Sequence, residues 1–333
     1  MRFNVSVLGG GSWGTTVASL VARNANVVLW ARDGETVHEI NQFHTNNKYL
    51  PGASLHKTLR ATESLEEAVS GTDLIVMGIP SQSFRAVLEN IKPNIRPWVP
   101  VISLTKGLEV STGMRMSEIV QEVLPGHPVG ILTGPNLARE IMSGSAAASV
   151  IAMKDAAIVK VVQRIFHSGL FRVYTNHDVI GCELGGVLKN IIAIAAGMGD
   201  GLGAGDNTRA AIITRGLAEI SRLGVAMGGE AATFSGLAGM GDLLATCTSE
   251  QSRNRTVGFE LGRGRCIDDI TTDMFMVAEG VKSAPTVMKF ARQYQIEMPI
   301  AAEVYQVINK ETKAKYAFRG LLRTEARAES QSG

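Results

Sequence analysis

An α/β chain with a doubly wound parallel sheet in its N-terminal half and an all-α C-terminal half is what three features of these 333 residues predict. Gly9-Gly10-Gly11-Ser12-Trp13-Gly14 stands between an apolar run and a helical run. Strand-like apolar runs then alternate with polar helical segments up to about residue 180, the pattern of parallel strands joined by helices. Beyond that point only helical periodicity persists.

Phe3 to Leu8 reads as a buried strand and Thr15 to Ala22 as a helix, so a G-x-G-x-x-G pattern falls where a dinucleotide-binding, Rossmann-type turn requires it. Gly9 permits the tight turn, Gly11 lets backbone approach a pyrophosphate, and Gly14 lets the helix pack close to the strand. Free N–H groups and the dipole at the helix start favour the anion, beside Ser12 and Trp13. In a chain with 36 glycines the pattern alone is weak; its setting gives it weight against an ordinary Gly-rich turn.

Asn26 to Trp30 reads as the second strand. NAD-specific sites often place an acid directly after it to bind the ribose hydroxyls. Here Ala31 and Arg32 follow, with Asp33 one step late. Arg32 suits a 2′-phosphate and the adenine face, so the site reads as taking NADP as well as NAD, or as preferring NADP; a solvated loop charge is the alternative.

Asp33 to Leu50 reads as polar and mostly helical, broken by Pro51-Gly52, and Ser64 to Val69 as a short helix with a capping box of Ser64 and Glu67. Asp73 to Pro80 is a continuous apolar run, typical of a central parallel strand. Residues 99–104 and 129–133 give two more strands, and 147–152 and 171–174 two candidates at the sheet edge. Further on, residues 181–198 and 207–223 read as helices, the second capped by Asp206 or Asn207, with others from about Val257, Ala284 and Ala301. The glycine-rich stretch Gly197 to Gly205 reads as a loop between helices. The domains expected are 1–180, dinucleotide-binding; 181–323, helical and substrate-binding; and a polar, disordered tail, 324–333.

Composition narrows the function classes. With 45% hydrophobic residues the chain can bury a large core, and a net charge of +2 gives no argument for nucleic acid or a membrane surface. Cys182, Cys247 and Cys266 are widely spaced and read as reduced thiols of a cytoplasmic protein. The six histidines form no metal-binding spacing, so no metal is expected. A strand beginning at the third residue leaves no room for a signal peptide, and no apolar run reads as long enough to span a membrane.

In an open α/β sheet, ligands bind beyond the carboxyl ends of the strands. Lys106 follows the apolar strand 99–104 and would point over that cleft, or else into solvent; Gly134-Pro135-Asn136 follows the next strand. Lys189 and Asn190 interrupt a helix that is apolar almost all round, where an unpaired charge is costly. Gly185 and Gly186 lie under the lysine; a hollow for substrate is the favoured reading, close helix packing the alternative. Asp242 sits in an apolar segment, with Thr246 on the same face if the segment is helical. Ser252-Arg253-Asn254-Arg255 offers many donors in four residues, and arginine forks match phosphate oxygens.

Seven motifs in order (9–14, Leu104 to Glu109, Gly134 to Glu140, Glu183 to Asn190, Gly241 to Cys247, Ser252 to Asn254 and Val277 to Val281) closely resemble bacterial NAD(P)-dependent glycerol-3-phosphate dehydrogenase over roughly residues 3 to 320. The resemblance implies reversible hydride transfer between NAD(P)H and dihydroxyacetone phosphate, giving sn-glycerol 3-phosphate for glycerophospholipid synthesis by a cytoplasmic homodimer. It implies catalytic roles for Lys189 and Lys106, with Asp242, Asn190 and Thr246 beside them. Substrate contacts fall on Lys106, Gly134, Asn136, Lys189, Asp242, Ser252, Arg253 and Asn254. Cofactor contacts fall on Gly9, Gly11, Ser12, Trp13, Gly14, Arg32, Lys106, Ala138, Arg253, Val277 and Glu279. Asn136 departs from the pattern, which has serine or threonine there.

A β-hydroxyacid dehydrogenase is the nearest competitor, since it shares both halves and a helical Lys-Asn, but it needs a carboxylate clamp. A catalytically silent dinucleotide sensor would leave Lys189, Asn190 and Asp242 without a purpose.

Overall fold

The computed structural model describes residues 2–274 and 278–317; Val277 and the expected tail, 324–333, lie outside them. The chain divides into two compact units, Met1–Val179 and Ile180–Gly333.

The first unit is built on eight strands: β1 (Asn4–Leu8), β2 (Asn26–Trp30), β3 (Arg60–Thr62), β4 (Leu74–Met77), β5 (Val101–Ser103), β6 (Val129–Thr133), β7 (Ala147–Met153) and β8 (Phe171–Asn176). Their spatial order is β3-β2-β1-β4-β5-β6-β7-β8. The chain leaves β1 toward β3, then returns to place β4 on the other side of β1, so the strand order reverses between β1 and β4. That switch point is where an open α/β sheet leaves a crevice for ligand. The parallel run ends at β7, which is antiparallel to β6, while β8 is parallel to β7.

Helices cover both faces: α1 (Ser12–Val21), α2 (Gly34–Phe43), α3 (Leu65–Val69), α4 (Ser81–Ile91), α5 (Met116–Val123), α6 (Ala138–Met142) and α7 (Ala156–Phe166). Alternate residues of one strand feed two different apolar clusters. Leu74 and Val76 join Val17, Val21 and Leu29 on one face. Ile75 and Met77 join Phe84, Leu88 and Ile119 on the other. A strand buried on both faces has no polar side to show, which is why β4 is written as unbroken apolar sequence.

Local departures have local causes. The helix after β2 stops at Phe43, because His44 adopts a left-handed conformation (φ 53), so 44–50 is not helical. Ser64 caps α3 by accepting from the Glu67 N–H, but the Glu67 carboxylate accepts from the Thr62 hydroxyl instead of reaching back.

The second unit is helical: α8 (Val179–Gly201), α9 (Asp206–Ala226), α10 (Ala231–Phe234), a π-helical turn Leu237–Gly241, α11 (Asp242–Thr248), α12 (Arg253–Gly262), α13 (Ile267–Asp273), α14 (Glu279–Gln293) and α15 (Pro299–Ile308). The loop expected at 197–205 is mostly helix. A Cβ at Gly197 would lie 2.0 Å from the Arg255 carbonyl oxygen, one at Gly201 2.2 Å from that of Phe259, and one at Gly258 2.0 Å from that of Ile194. These glycines let α8 and α12 cross backbone to backbone. Gly205, not Asp206 or Asn207, is the N-cap of α9, and α12, α14 and α15 begin two to five residues before the periodicity suggests. By length and composition α8 is apolar enough to cross a membrane, contrary to the sequence reading, but 94% of its most apolar window is buried within the protein.

Candidate functional site

In the first unit the glycine turn is closed on two sides and open on the third. Gly9 has φ +126, and a Cβ there would lie 2.3 Å from the Gly78 carbonyl oxygen; one at Gly14 would lie 2.0 Å from that of Gly9. Only glycine fits either place. At Gly11 nothing stands within 4 Å of a Cβ position. Helix α1 begins there with no side-chain cap and no acid in its first turn, leaving its early N–H groups and positive dipole end facing that open space. Ser12 and Trp13 form the first turn, and the half-buried Trp13 has its indole Nε1 hidden and without a hydrogen-bond partner among the described residues. A pyrophosphate fits this arrangement: backbone donors, room for two phosphates and no competing carboxylate.

Beyond β2, Ala31 is buried against the turn, its Cβ 2.6 Å from where a Cβ on Gly10 would be. Arg32 is exposed. Asp33, the late acid, is occupied by Lys48 Nζ at 2.7 Å and the Thr36 hydroxyl at 2.8 Å. Ala138 opens α6, half-buried against the apolar cluster that holds α1.

Lys106, Gly134 and Asn136 are gathered at the carboxyl ends of β5 and β6. Lys106 Nζ donates to the Gly134 carbonyl at 2.9 Å, and the preceding Thr105 hydroxyl donates to the Ile79 carbonyl at 2.7 Å, fixing the end of the strand. Gly134 turns the chain at φ +124. Asn136 Oδ1 accepts from the Ser149 hydroxyl at 2.5 Å. Its Nδ2 is buried with no partner among the described residues, so the longer amide presents a donor where a hydroxyl would stand.

In the second unit a buried ion pair organises the site. Lys189 on α8 is 5% exposed and Asp242, the first residue of α11, is 2% exposed. Lys189 Nζ lies 2.6 Å from Asp242 Oδ1 and also donates to the Thr246 hydroxyl. That hydroxyl donates in turn to the Asp242 carbonyl one turn back, at 2.6 Å. Of the two glycines beneath the lysine, Gly185 opens no hollow: a Cβ there would lie 2.7 Å from the Ala238 carbonyl oxygen. Close packing of α8 on the π-helical turn occupies that space, and it is what brings Asp242 against Lys189.

Asn190, the next residue of α8, is held by two hydrogen bonds. Its Nδ2 donates to the Gly186 carbonyl at 3.2 Å and its Oδ1 accepts from Asn254 Nδ2 at 3.0 Å. Asn254 Oδ1 accepts from the Gly280 N–H at 3.0 Å. This amide ladder ties α8, α12 and α14 together, with Asn190 next to Lys189 in the chain.

Ser252 caps α12 through its hydroxyl, which accepts from the Arg255 N–H at 3.2 Å. Arg253, next in line, is exposed at the helix start, with the charge of half-buried Glu279, the first residue of α14, near enough to act on it. Arg255 is not available for a ligand: its guanidinium is held by Asp200 at 2.7 Å, which also takes Arg209 at 2.8 Å. Asp200 escaped the sequence reading because it lies in the stretch taken for a loop; its place on the last turn of α8, facing α12, is the signal that finds it.

The chain matches two family models: NAD-dependent glycerol-3-phosphate dehydrogenase N-terminus, over residues 4–159, and the C-terminus of the same family, over residues 178–319. It is 65% identical over 333 residues to a glycerol-3-phosphate dehydrogenase [NAD(P)+] 2 of Sphingopyxis alaskensis, covering 100% of both chains. It is 54% identical over 319 residues to a glycerol-3-phosphate dehydrogenase [NAD(P)+] of Mycobacterium avium, covering 96% of this chain and 94% of that one. Among solved structures, glycerol-3-phosphate dehydrogenase from Coxiella burnetii superposes with a TM-score of 0.92 at 36% identity, covering 97% of this chain and 99% of the other. With the glycine turn and the Lys189–Asp242 pair in place, the chain belongs to the NAD-dependent glycerol-3-phosphate dehydrogenase family.

Proposed function

We propose that Lys189 is the acid/base group of this enzyme, and that the buried Lys189–Asp242–Thr246 cluster is the observation that carries the assignment. The activity is NAD(P)-dependent oxidoreduction at the CH–OH group of sn-glycerol 3-phosphate, reversible with dihydroxyacetone phosphate and serving glycerophospholipid synthesis. The bound nicotinamide supplies or accepts the hydride.

In the oxidative direction Lys189 takes the hydroxyl proton as the C–H bond is broken; in reduction its ammonium returns a proton to the developing alkoxide. Asp242 and Thr246 hold Nζ in one place, so the proton is handed over at a fixed point. Lys106, ordered by the Gly134 carbonyl, supplies a second positive charge to the alkoxide and touches both substrate and cofactor. Asn136 contributes its Nδ2 donor. Arg253, with the capped helix start at Ser252 and with Asn254 behind it, holds the substrate phosphate and so orients the carbonyl. Gly9, Gly11, Ser12, Trp13 and Gly14 hold the pyrophosphate, Arg32 the 2′-phosphate when NADP is bound, and Ala138, Val277 and Glu279 the rest of the cofactor.

The protein works as a homodimer in the cytoplasm, without nucleic acid or membrane insertion. The wide spacing of Cys182, Cys247 and Cys266 along the sequence supports a reducing compartment, and the buried surface of α8 supports a core helix. The test is direct. Dihydroxyacetone phosphate with NADH, then with NADPH, should be consumed with loss of reduced-nicotinamide absorbance. No turnover with either cofactor would overturn the reading.

A further inference from the structure

We infer that Lys48 is a specificity residue for the cofactor: by holding Asp33 in an ion pair, it removes the one acid at the end of β2 that would repel a 2′-phosphate. The inference rests on the reading that Arg32 faces that phosphate.

An acid after the second strand serves ribose hydroxyls and disfavours a phosphate ester by charge repulsion. The chain keeps such an acid, Asp33, directly beside Arg32. Its carboxylate is turned away to Lys48 Nζ at 2.7 Å and the Thr36 hydroxyl at 2.8 Å. Those bonds hold the Asp33 carboxyl below its ordinary range, so it stays ionised and paired. Glu35 opens α2 next to it, and the Glu63 carboxylate lies within 2.7 Å of where a Cβ on Gly34 would be. Without Lys48, the Asp33 carboxylate beside Arg32 in the chain would have no cation on it.

The loop that carries Lys48 is built to place it. Asn46 is fully buried, and its Nδ2 donates to the Gly10 carbonyl at 3.0 Å and to Thr15 Oγ1 at 2.9 Å. The loop is therefore bolted to the glycine turn itself. On its other side Glu39 Oε1 accepts from the Thr45 hydroxyl at 2.8 Å, the Asn47 N–H at 2.9 Å and Asn47 Nδ2 at 2.6 Å. A half-exposed ion pair adds little to folding stability, so the pairing of Lys48 with Asp33 is better accounted for by charge control beside the cofactor than by stability.

The test uses the full-length protein and two probes, 2′,5′-ADP and 5′-AMP, titrated by calorimetry at fixed ionic strength, because the effect is screened by salt. Wild type should prefer 2′,5′-ADP. K48M should lower that preference about three- to fivefold, a modest effect for a partly exposed charge, acting on 2′,5′-ADP and not on 5′-AMP. K48M/D33N should restore it to within about twofold. An unchanged ratio in K48M overturns the inference, as does an equal loss for both probes. Failure of D33N to rescue K48M also overturns it, since Lys48 would then be touching the phosphate directly. R32A is a separate arm: if it leaves the ratio unchanged, the Arg32 reading fails on its own, whatever K48M does.

Discussion

Lys189 and Asp242 form an ion pair of 2.6 Å inside the helical unit, both side chains almost wholly out of solvent. A buried pair of this kind brings little net stability, because desolvating two charges offsets their attraction. An apolar pair of the same volume would fold as well, so the reason to keep these two lies in the chemistry. K189M should lower turnover by at least about 100-fold, the contribution of a positioned acid/base group, while cofactor affinity stays within about twofold. It strands the Asp242 carboxylate, so its melting temperature should fall; K189M/D242N should recover the melting temperature and remain inactive. Turnover of K189M within about tenfold of wild type would take Lys189 out of the acid/base role.

Two arginines stand in the segment 252–255, and the structure separates them. Arg255 is held by Asp200, while Arg253 stands at the exposed start of α12 with the charge of Glu279 acting on it. R253A should therefore raise KM for dihydroxyacetone phosphate by about 10- to 150-fold, the worth of a hydrogen bond to a charged group. Dihydroxyacetone, which lacks the phosphate, should be affected far less. Equal losses with both substrates would show that Arg253 does not bind the phosphate.

The same separation shows what the amino-acid sequence could and could not reveal. Leu74–Met77 was legible because a strand buried on both faces must be apolar throughout. Arg60–Thr62, three residues long at the sheet edge, leaves no such run. Lys189 stood out because a charge in an apolar helix needs a partner, and Thr246 falls on the face of Asp242 because α11 is a helix. The glycines at 185, 197 and 201 were misread for a common reason. Glycine codes equally for a loop, a hollow and a close helix crossing, and only the opposing backbone, here Ala238, Arg255 and Phe259, decides which. Asp200 went unseen as a consequence.

Cofactor choice should turn on Arg32. Ala31, beside the glycine turn, has no polar group with which to read the ribose, and Arg32 is exposed just beyond it. R32A should shift the ratio of kcat/KM from NADPH toward NADH by about 10- to 150-fold, the range for losing a charge-assisted hydrogen bond. A31D/R32A should shift it further, because the new acid repels the 2′-phosphate as well as binding the hydroxyls. An unchanged ratio across wild type and both variants would make Arg32 a solvated loop residue.

Glu219 sets a pH dependence that belongs to the fold and not to the reaction. It lies on α9 with no exposure, and its two oxygens accept from the Ile300 N–H at 2.7 Å and the Ala301 N–H at 3.1 Å, capping α15. Burial pushes its carboxyl up to about 7, against the pull of those N–H groups and of Arg222 and Arg215. A carboxyl with a raised pKa binds its proton more tightly in the folded state than in the unfolded one. Its contribution to stability is therefore whole below the unfolded value near 4.5 and is lost as pH rises through about 7. The loss amounts to on the order of 3 kcal/mol, or roughly 6–12 °C in the melting temperature of a unit this size. E219Q removes the titrating proton, and at pH 5 it should melt below wild type because one backbone N–H faces an amide instead of an oxygen. From pH 5 to pH 8 the gap should close by most of that 6–12 °C, followed by calorimetry at constant ionic strength. A gap between E219Q and wild type that stays constant across this range would mean that Glu219 keeps one protonation state throughout, with the capping N–H groups outweighing burial.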